Sequence, residues 1–321
     1  MATPRVWHSL SSDPSGTVLV AGEAPNGLIW VSADGGATWT SGNSTPGVWI
    51  WSDVSQNGAL IVAVKFGGGM YTSTDQGVTW NRVISDPLVF NAGGQAFESV
   101  TVSHNGLRIA AAIQNGNIVL SNDGGSTWAA ATLPGVPPNK WWRGIDGSAD
   151  GSVLAAVSHN GEVYVSSDAG VTWAAVTVAV GTPAVAVTET WYRVKMSDDG
   201  NTIAIAANTF GGAPGAPGNG IYVSHDRGVT WTRGLSLTAD YSCLAMSADG
   251  QSIAATVSNL NATPGQVLLS DDGGVTFTAQ TMPGTDTNWR AIAMSDSGNR
   301  FVAATGQFNT AQAGLLYTGT R

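Results

Sequence analysis

An eight-residue segment that recurs along the chain limits what the chain can fold into. Its pattern is Ser-x-Asp-x-Gly-x-Thr followed by Trp or Phe, and successive copies start 41 to 58 residues apart. Self-similarity at such a period is typical of repeat architectures, in which each unit buries its apolar face only against its neighbours. The six copies span residues 32–39, 73–80, 121–128, 166–173, 224–231 and 270–277.

A second element precedes each octapeptide and occurs seven times. It consists of an aromatic residue, about six further residues, a Ser/Gly-rich turn and a run of small apolar residues, and its copies begin 42 to 50 residues apart. Each unit therefore predicts four short strands, with strand A starting at the aromatic residue and the octapeptide turning strand C into strand D. The seven aromatic residues are Trp7, Trp49, Phe97, Trp142, Trp191, Tyr241 and Trp289.

Four strands in each unit of this length predict an all-β fold, a β-propeller with one blade per unit. We expect a single domain over residues 1–321, with seven blades starting near residues 6, 48, 96, 141, 190, 240 and 288. Residues 315–318 align with 28–31, so the chain ends after strand C of the seventh blade, which explains the six octapeptides. The last blade is then incomplete, unless the segment from Ala2 to Arg5 supplies its outer strand.

Composition excludes several classes of function. The formal net charge is -9, which argues against nucleic acid or an anionic membrane as the main partner, since both require a basic face. The single cysteine, Cys243, excludes a disulfide framework and a cysteine-based metal site, and no apolar run is long enough for membrane insertion. We expect a monomer without cofactor or metal. The N-terminal residues lack a signal peptide, while the scarcity of lysine favours an extracellular location.

The octapeptide aspartates are predicted to be structural. Each can accept hydrogen bonds from the backbone of its own turn, and the glycine supplies a conformation that other residues resist. A feature present on every unit holds units together, whereas a binding site is usually made once. These residues are Asp34, Asp75, Asp123, Asp168, Asp226 and Asp272.

The octapeptide resembles the Asp-box, or BNR repeat, of the Asp-box β-propellers. These include sialidases, family 74 xyloglucanases, the ectodomains of sortilin-type receptors and photosystem II assembly factors. The resemblance implies the propeller fold, with boxes that are structural and lie at the periphery of the blades. It leaves the function open, because function depends on sites and not on the fold.

A glycoside hydrolase is the enzymatic interpretation, and the sequence gives it little support. The resemblance to sialidases would imply an N-terminal Phe/Tyr-Arg-Ile-Pro motif, which this chain lacks. Other glycosidases need two carboxylates about 5 to 10 Å apart, for which Asp53, Asp146 and Glu98 are the candidates on inner strands. We assign no catalytic residue.

The surplus of aromatic residues points to a binding surface. Thirteen tryptophans are present, and the strand-A aromatics either wedge between blades or line a mouth that stacks on sugar rings. Aromatic stacking with a few polar groups suits a glycan or small ligand. The predicted function is a non-catalytic recognition propeller for carbohydrate or glycoprotein; the alternatives are a protein-assembly scaffold and a glycoside hydrolase. The predicted ligand-binding residues are Trp51, Trp141, Trp142, Trp191, Tyr192, Arg143, Arg193, Arg290, Asp53 and Asp146.

Overall fold

The fold of this chain, obtained as a computed structural model, is all-β. The structure describes residues 5–90, 94–133, 135–137, 140–187, 189–207, 220–235, 239–258, 265–282, 288–306 and 314–320. Within these ranges the one helical element is the three-residue 3-10 turn Gln56–Gly58. None of the described segments forms a helix of the length and apolarity needed to cross a membrane.

The strands of the first half pair antiparallel in chain order. The first sheet contains β1 (Trp7–Ser12), β2 (Leu19–Glu23) and β3 (Ile29–Ser32). The second contains β4 (Trp49–Val54), β5 (Ile61–Lys65), β6 (Gly69–Ser73) and β7 (Asn81–Arg82). The third group contains β8 (Phe97–Val102), β9 (Ile109–Gly116), β10 (Ile118–Ser121) and β11 (Ala129–Ala130). The fourth group contains β12 (Lys140–Gly147), β13 (Leu154–Ser158), β14 (Val163–Ser166) and β15 (Ala174–Val176). These two groups form one sheet, because β9 also pairs with β12.

The second half continues the pattern after a short hairpin of β16 (Ala179–Val180) and β17 (Val185–Ala186). The next sheet contains β18 (Trp191–Met196), β19 (Ile203–Ala207), β20 (Ile221–Ser224) and β21 (Thr232–Leu235). It is followed by β22 (Asp240–Met246), β23 (Ile253–Ser258), β24 (Gln266–Ser270) and β25 (Thr278–Ala279). The last sheet contains β26 (Trp289–Met294), β27 (Arg300–Thr305) and β28 (Leu316–Thr320).

The first strand of each group lies innermost, and we call β1, β4, β8, β12, β18, β22 and β26 the A strands. Each A strand contacts the next one along the chain, and β26 contacts β1, so the contacts close into a ring around a central channel. All A strands start at the same end of this channel, because each follows the same position of its repeat. This radial arrangement of antiparallel sheets is that of a β-propeller.

The strand-A aromatics form the core between sheets. All seven are at most 2% exposed, and in four sheets the tryptophan packs against an aromatic side chain of strand C. Trp191, for example, lies 5.3 Å from Tyr222 with the rings nearly perpendicular, and its indole N–H donates to the Gly161 carbonyl at 2.9 Å. An edge-to-face pair stabilises a core by about 0.5–1.5 kcal/mol beyond the area that it buries. Of the two roles considered for these aromatics, the structure shows packing.

Strand boundaries differ from the prediction where an A strand gains an extra partner. β12 begins at Lys140, two residues before the aromatic, because Lys140 and Trp141 pair with β9 of the preceding group. In the last sheet the described residues form three strands, and Arg5 makes an isolated bridge to Gly314 just before β28. The rest of the N-terminal segment from Ala2, proposed as an outer strand, lies outside the described residues.

Candidate functional site

Arginine and aromatic side chains converge where the A strands begin. The Arg193 guanidinium lies 3.8 Å from the centre of the Tyr192 ring and 4.6 Å from that of Trp51. Arg143 lies 5.2 Å from the same tyrosine ring on its neighbouring sheet and 4.8 Å from Trp141. Cation–π contacts at these distances hold the guanidinium groups in place. We call Trp51, Glu98, Trp141, Arg143, Tyr192, Arg193 and Arg290 the arginine mouth.

The charge of the arginine mouth is positive. Glu98 is its one carboxylate among the residues just named, and it accepts a hydrogen bond from Arg143 at 3.2 Å. Burial raises the pKa of Glu98, and the arginines oppose that shift. Burial and the charge of Arg193 lower the pKa of Arg290. With three guanidinium groups and one carboxylate, the arginine mouth has a positive local charge on a chain whose net charge is -9.

His8 borders the arginine mouth and is neutral at pH 7. Burial and the charges of Arg290 and Arg193 lower its pKa to about 3, because a second positive charge is unfavourable there. The imidazole therefore adds no charge to the mouth at physiological pH.

Two of the predicted ligand-binding residues lie behind the mouth. Trp142 and Trp191 are 1% and 0% exposed and pack between sheets, so a ligand ring could stack on them only after displacing core side chains. The prediction included them because the aromatics at the start of the A strands were one candidate lining of the mouth. The bulge that follows the aromatic residue in each of these A strands separates the buried aromatic from the residues that come after it.

Asp53 and Asp146 were predicted beside the arginines, but they lie farther along the A strands. Each latches its sheet to the next one, since Asp53 accepts the backbone N–H of Val102 at 2.7 Å and Asp146 that of Met196 at 2.8 Å. Asp146 also pairs with Lys195 at 3.2 Å. Burial raises the pKa of Asp53, and the nearby Asp146 adds to that shift while Lys195 opposes it. The two aspartates thus stabilise the contacts between sheets.

A ring of backbone hydrogen bonds closes the other end of the channel. In the turn that follows each A strand, the second residue donates its N–H to the carbonyl of the equivalent residue in the next repeat, at 2.8 to 3.0 Å. Six such bonds run in sequence around the channel, and the seventh position is a proline, which has no N–H. We call this the turn ring; its residues are Pro14, Gln56, His104, Ala149, Asp198, Ala248 and Asp296.

Three side chains of the turn ring meet in the channel. Nε2 of His104 lies 3.7 Å from Oδ1 of Asp198, and ligand atoms of His104, Asp198 and Asp296 all lie within 4.8 Å of one another. They line a cavity of about 100 Å³ that extends past Asp146 and Lys195 to Trp51. Burial and the charge of Asp198 raise the pKa of Asp296 to about 6.

The octapeptides lie away from the channel and follow the third strand of their sheets. In five sheets a short fourth strand comes next, and in the first sheet the following residue Thr40 makes an isolated bridge to Val31. In each copy the serine hydroxyl bonds to the aspartate at 2.8 Å, and the same aspartate accepts the threonine N–H four residues on at 2.8 or 2.9 Å. These bonds lower the pKa of all six aspartates, and that of Asp34, Asp123 and Asp272 falls to about 2. The six aspartates therefore stabilise the turns in which they lie.

The turn ring could not be recognised from the residues that the sequence singles out. His104 is typical of a turn, and neither Asp198 nor Asp296 stands out in the repeat pattern. The signal was present, because all three directly follow the serine that starts the strand-A turn in their repeats, at Ser103, Ser197 and Ser295. Equivalent positions of a closed repeat meet at the axis, so an alignment of the seven repeats would have placed them together.

The comparisons with known proteins agree with this architecture. The family model for the BNR/Asp-box repeat matches residues 71–82 and 222–233. This chain is a β-propeller that contains BNR/Asp-box repeats. Among curated proteins, xyloglucanase Xgh74A of Acetivibrio thermocellus is 29% identical over an alignment of 164 positions, and the match covers 39% of this chain and 19% of the xyloglucanase. The chain therefore matches only a small part of that relative.

Solved structures match over the full length of this chain. YCF48 bound to D1 peptide superposes with a TM-score of 0.66 at 17% identity, covering 100% of this chain and 94% of that one. YCF48 from Cyanidioschyzon merolae gives 0.65 at 15% identity, with coverage of 100% and 97%. The Cps50 (Swd1) β-propeller domain of Myceliophteria thermophila gives 0.67 at 12% identity, with coverage of 100% and 98%. At these identities the likeness shows the fold alone.

Proposed function

We propose that this protein is a non-catalytic recognition propeller whose arginine mouth binds an acidic segment of a protein partner. The observation that carries this proposal is the convergence of Arg143, Arg193 and Arg290, from three different sheets, at one end of the channel. Guanidinium groups recognise carboxylates through paired hydrogen bonds. A local positive charge on a chain of net charge -9 also steers an acidic segment to this end and not elsewhere.

The way the mouth is packed favours an anion over a sugar ring. Tyr192 has guanidinium groups near its ring at 3.8 and 5.2 Å, and the Trp141 ring lies 4.1 Å from the His159 ring. A sugar would have to compete with these groups for the aromatic faces.

A guanidinium has five N–H donors, and the bonds described for Arg193, to the carbonyls of Ser242 and Tyr192, use two of them. Arg143 and Arg193 are each only 6% exposed, so the half-buried Arg290 is the arginine of the mouth that a ligand reaches most directly.

The comparisons are consistent with a protein partner. YCF48, which shares the propeller fold, has a solved structure with a D1 peptide. The candidate carboxylates of the channel also support a role without catalysis. Asp53 and Asp146 accept backbone N–H groups of neighbouring sheets, and Glu98 pairs with Arg143.

We further propose seven blades in one domain over residues 1–321, with six Asp-boxes and a last blade that lacks its outer strand. The repeats then start near residues 6, 48, 96, 141, 190, 240 and 288. Support comes from the closed contacts of the A strands and from the seven positions of the turn ring. The shared hydrogen-bond pattern of all six octapeptides supports the count of boxes.

The test is binding to paired peptide sets. Labelled protein is applied to an array of acidic peptides and to copies in which Asp and Glu are replaced by Asn and Gln, and affinities are measured by fluorescence anisotropy. We expect acidic peptides to bind at least about tenfold more tightly than their neutral copies, with an affinity that falls as salt increases.

Two arginine variants locate the binding. Arg290→Ala should weaken binding at least about fivefold, because it removes a half-buried charge from the mouth. Arg82→Ala removes the same charge from the exposed outer strand β7 and should leave binding unchanged. Equal affinities of the two variants, or an array without bound acidic peptides, would refute the proposal.

Carbohydrate is the second candidate ligand. The matching segment of xyloglucanase Xgh74A favours it, and Trp141 and Tyr192 are the half-buried aromatics that could contact a sugar. A glycan array with Trp141→Ala tests this candidate. Specific glycan binding that the variant loses, together with blank peptide arrays, would replace the acidic peptide by a sugar in the same mouth.

A further inference from the structure

The turn ring carries three potential metal ligands from three sheets that are not neighbours. His104 follows β8, Asp198 follows β18 and Asp296 follows β26, so each side chain reaches into the channel from a different direction. Their ligand atoms lie within 4.8 Å of one another. His104 and Asp198 are 30% and 37% exposed, so an ion in solution can reach them.

We propose that His104, Asp198 and Asp296 bind one divalent first-row transition-metal ion, of the Mn²⁺ or Zn²⁺ type, at this end of the channel. Imidazole nitrogen suits such ions better than Mg²⁺ or Ca²⁺, and carboxylate oxygens complete a mixed nitrogen–oxygen ligand set. Three protein ligands leave further coordination positions to water.

The geometry requires only a small closure. Metal–ligand bonds of about 2.0–2.2 Å place neighbouring ligand atoms about 3 Å apart. The 3.7 Å between His104 and Asp198 is close to that value, and rotation of the three side chains can bring the widest separation down by the remaining distance. Main-chain hydrogen bonds of the turn ring hold the backbone of all three residues, so the closure comes from rotation of their side chains.

The charge of the site favours a cation. Two carboxylates face one another here, and Asp146 and Asp13 act on them with further negative charge. A divalent ion neutralises the pair of ligand carboxylates. The competing arrangement without metal is direct contact between His104 and the two carboxylates, and the experiment separates the two.

The experiment is calorimetric titration of untagged protein, freed of metal by a chelator and dialysed to about pH 7.5, with MnCl₂ and with ZnCl₂. We expect one ion per chain for at least one of the two, and at least about tenfold weaker binding of MgCl₂ and CaCl₂. At about a hundredfold excess over the Kd, the ion should raise the Tm by about 5 °C.

Matched variants identify the ligands. His104→Ala and Asp198→Asn should each weaken binding at least about tenfold. His159→Ala changes a histidine in the same Ser-His-Asn-Gly sequence on another repeat and should bind as the unchanged protein does. Asp199→Asn removes a charge that acts on Asp198 but removes no ligand, so it should weaken binding less than Asp198→Asn does. Melting without metal checks that each variant is folded.

Two results would overturn the proposal. One is the absence of both heat and a Tm shift at millimolar Mn²⁺ and Zn²⁺, which would leave direct contact with His104 as the role of the two carboxylates. The other is equal metal affinity of His104→Ala and His159→Ala, which would place the ion elsewhere. Neither result affects the proposed peptide binding, which depends on the opposite end of the channel.

Discussion

At the scale of single residues, His8 links the electrostatics of the mouth to stability. Its pKa is lowered to about 3 in the folded protein, against a usual value of 6.5. Between these pH values the unfolded chain binds a proton at this position and the folded chain does not, so the contribution of His8 lowers the stability as pH falls below 6.5.

We therefore predict that the ring protons of His8 do not titrate between about pH 5 and 8 in NMR spectra, with His8→Gln used for their assignment. The same variant should lose less stability than the unchanged protein when the pH is lowered from about 7 to about 5, measured by urea unfolding. A midpoint of the His8 titration near 6.5, its usual value, or equal losses of stability in both proteins, would contradict this prediction.

The sequence predicted the role of a residue best where that residue departs from the repeat pattern, and less well where it follows the pattern. Trp51 and Tyr192 stand out because the repeat does not require aromatics there, and both lie in the mouth with Arg193. Asp53 and Asp146 were misplaced because pattern alone does not tell how far along an inner strand a side chain lies. Their backbone partners belong to other repeats, so only the closed fold reveals the latches.

At the scale of elements, the octapeptide joins sheets as well as strands. Its glycine has a φ of 84 to 95° in all six copies, a conformation that favours glycine. At Gly170 a Cβ atom would also come within 2.5 Å of the Leu120 side chain on β10 of the preceding group. The turn of one sheet therefore packs closely on the outer face of its neighbour.

Gly170→Ala should destabilise the protein more than a glycine replacement that adds strain alone. Gly67 has a φ of +63° and no atom within 4 Å of the position that a Cβ would take, so Gly67→Ala costs only the left-handed conformation, about 1–2 kcal/mol. Gly170→Ala adds overpacking of about 1–3 kcal/mol. Urea unfolding measures both variants; equal losses would mean that the octapeptide turn does not press on the neighbouring sheet.

The type and order of the strands were predictable because every repeat contains the same pattern of apolar runs and turns. In the fourth group, for example, strands B and C are Leu154–Ser158 and Val163–Ser166, and they lie in sequence between the aromatic residue and the octapeptide, as predicted. The pairing of β9 with β12 could not be predicted, since it depends on the contact of two neighbouring units and breaks the repeat.

At the scale of the whole molecule, the channel separates charge. Arginines gather where the A strands begin, and Asp146, Asp198 and Asp296 gather toward their far ends. The two ends therefore suit ligands of opposite sign, an acidic segment at one and a cation at the other. This separation follows from the ring closure, because the residues concerned come from sheets that are far apart in the sequence.

The hydrogen bonds of the turn ring each join two neighbouring sheets, so they exist only while those sheets are in place. The amide protons of its six N–H donors should exchange at least about 100-fold more slowly than ordinary turn amides, since exchange requires the ring to open. The amides of Asn201 and Gln251 are the internal control; they lie in the same turns but donate to exposed aspartate side chains. Hydrogen exchange followed by NMR gives both sets of rates in one experiment. Ring amides that exchange as fast as these two would show that the hydrogen bonds of the ring open without global unfolding, and that the ring contributes little to holding the sheets together at the axis.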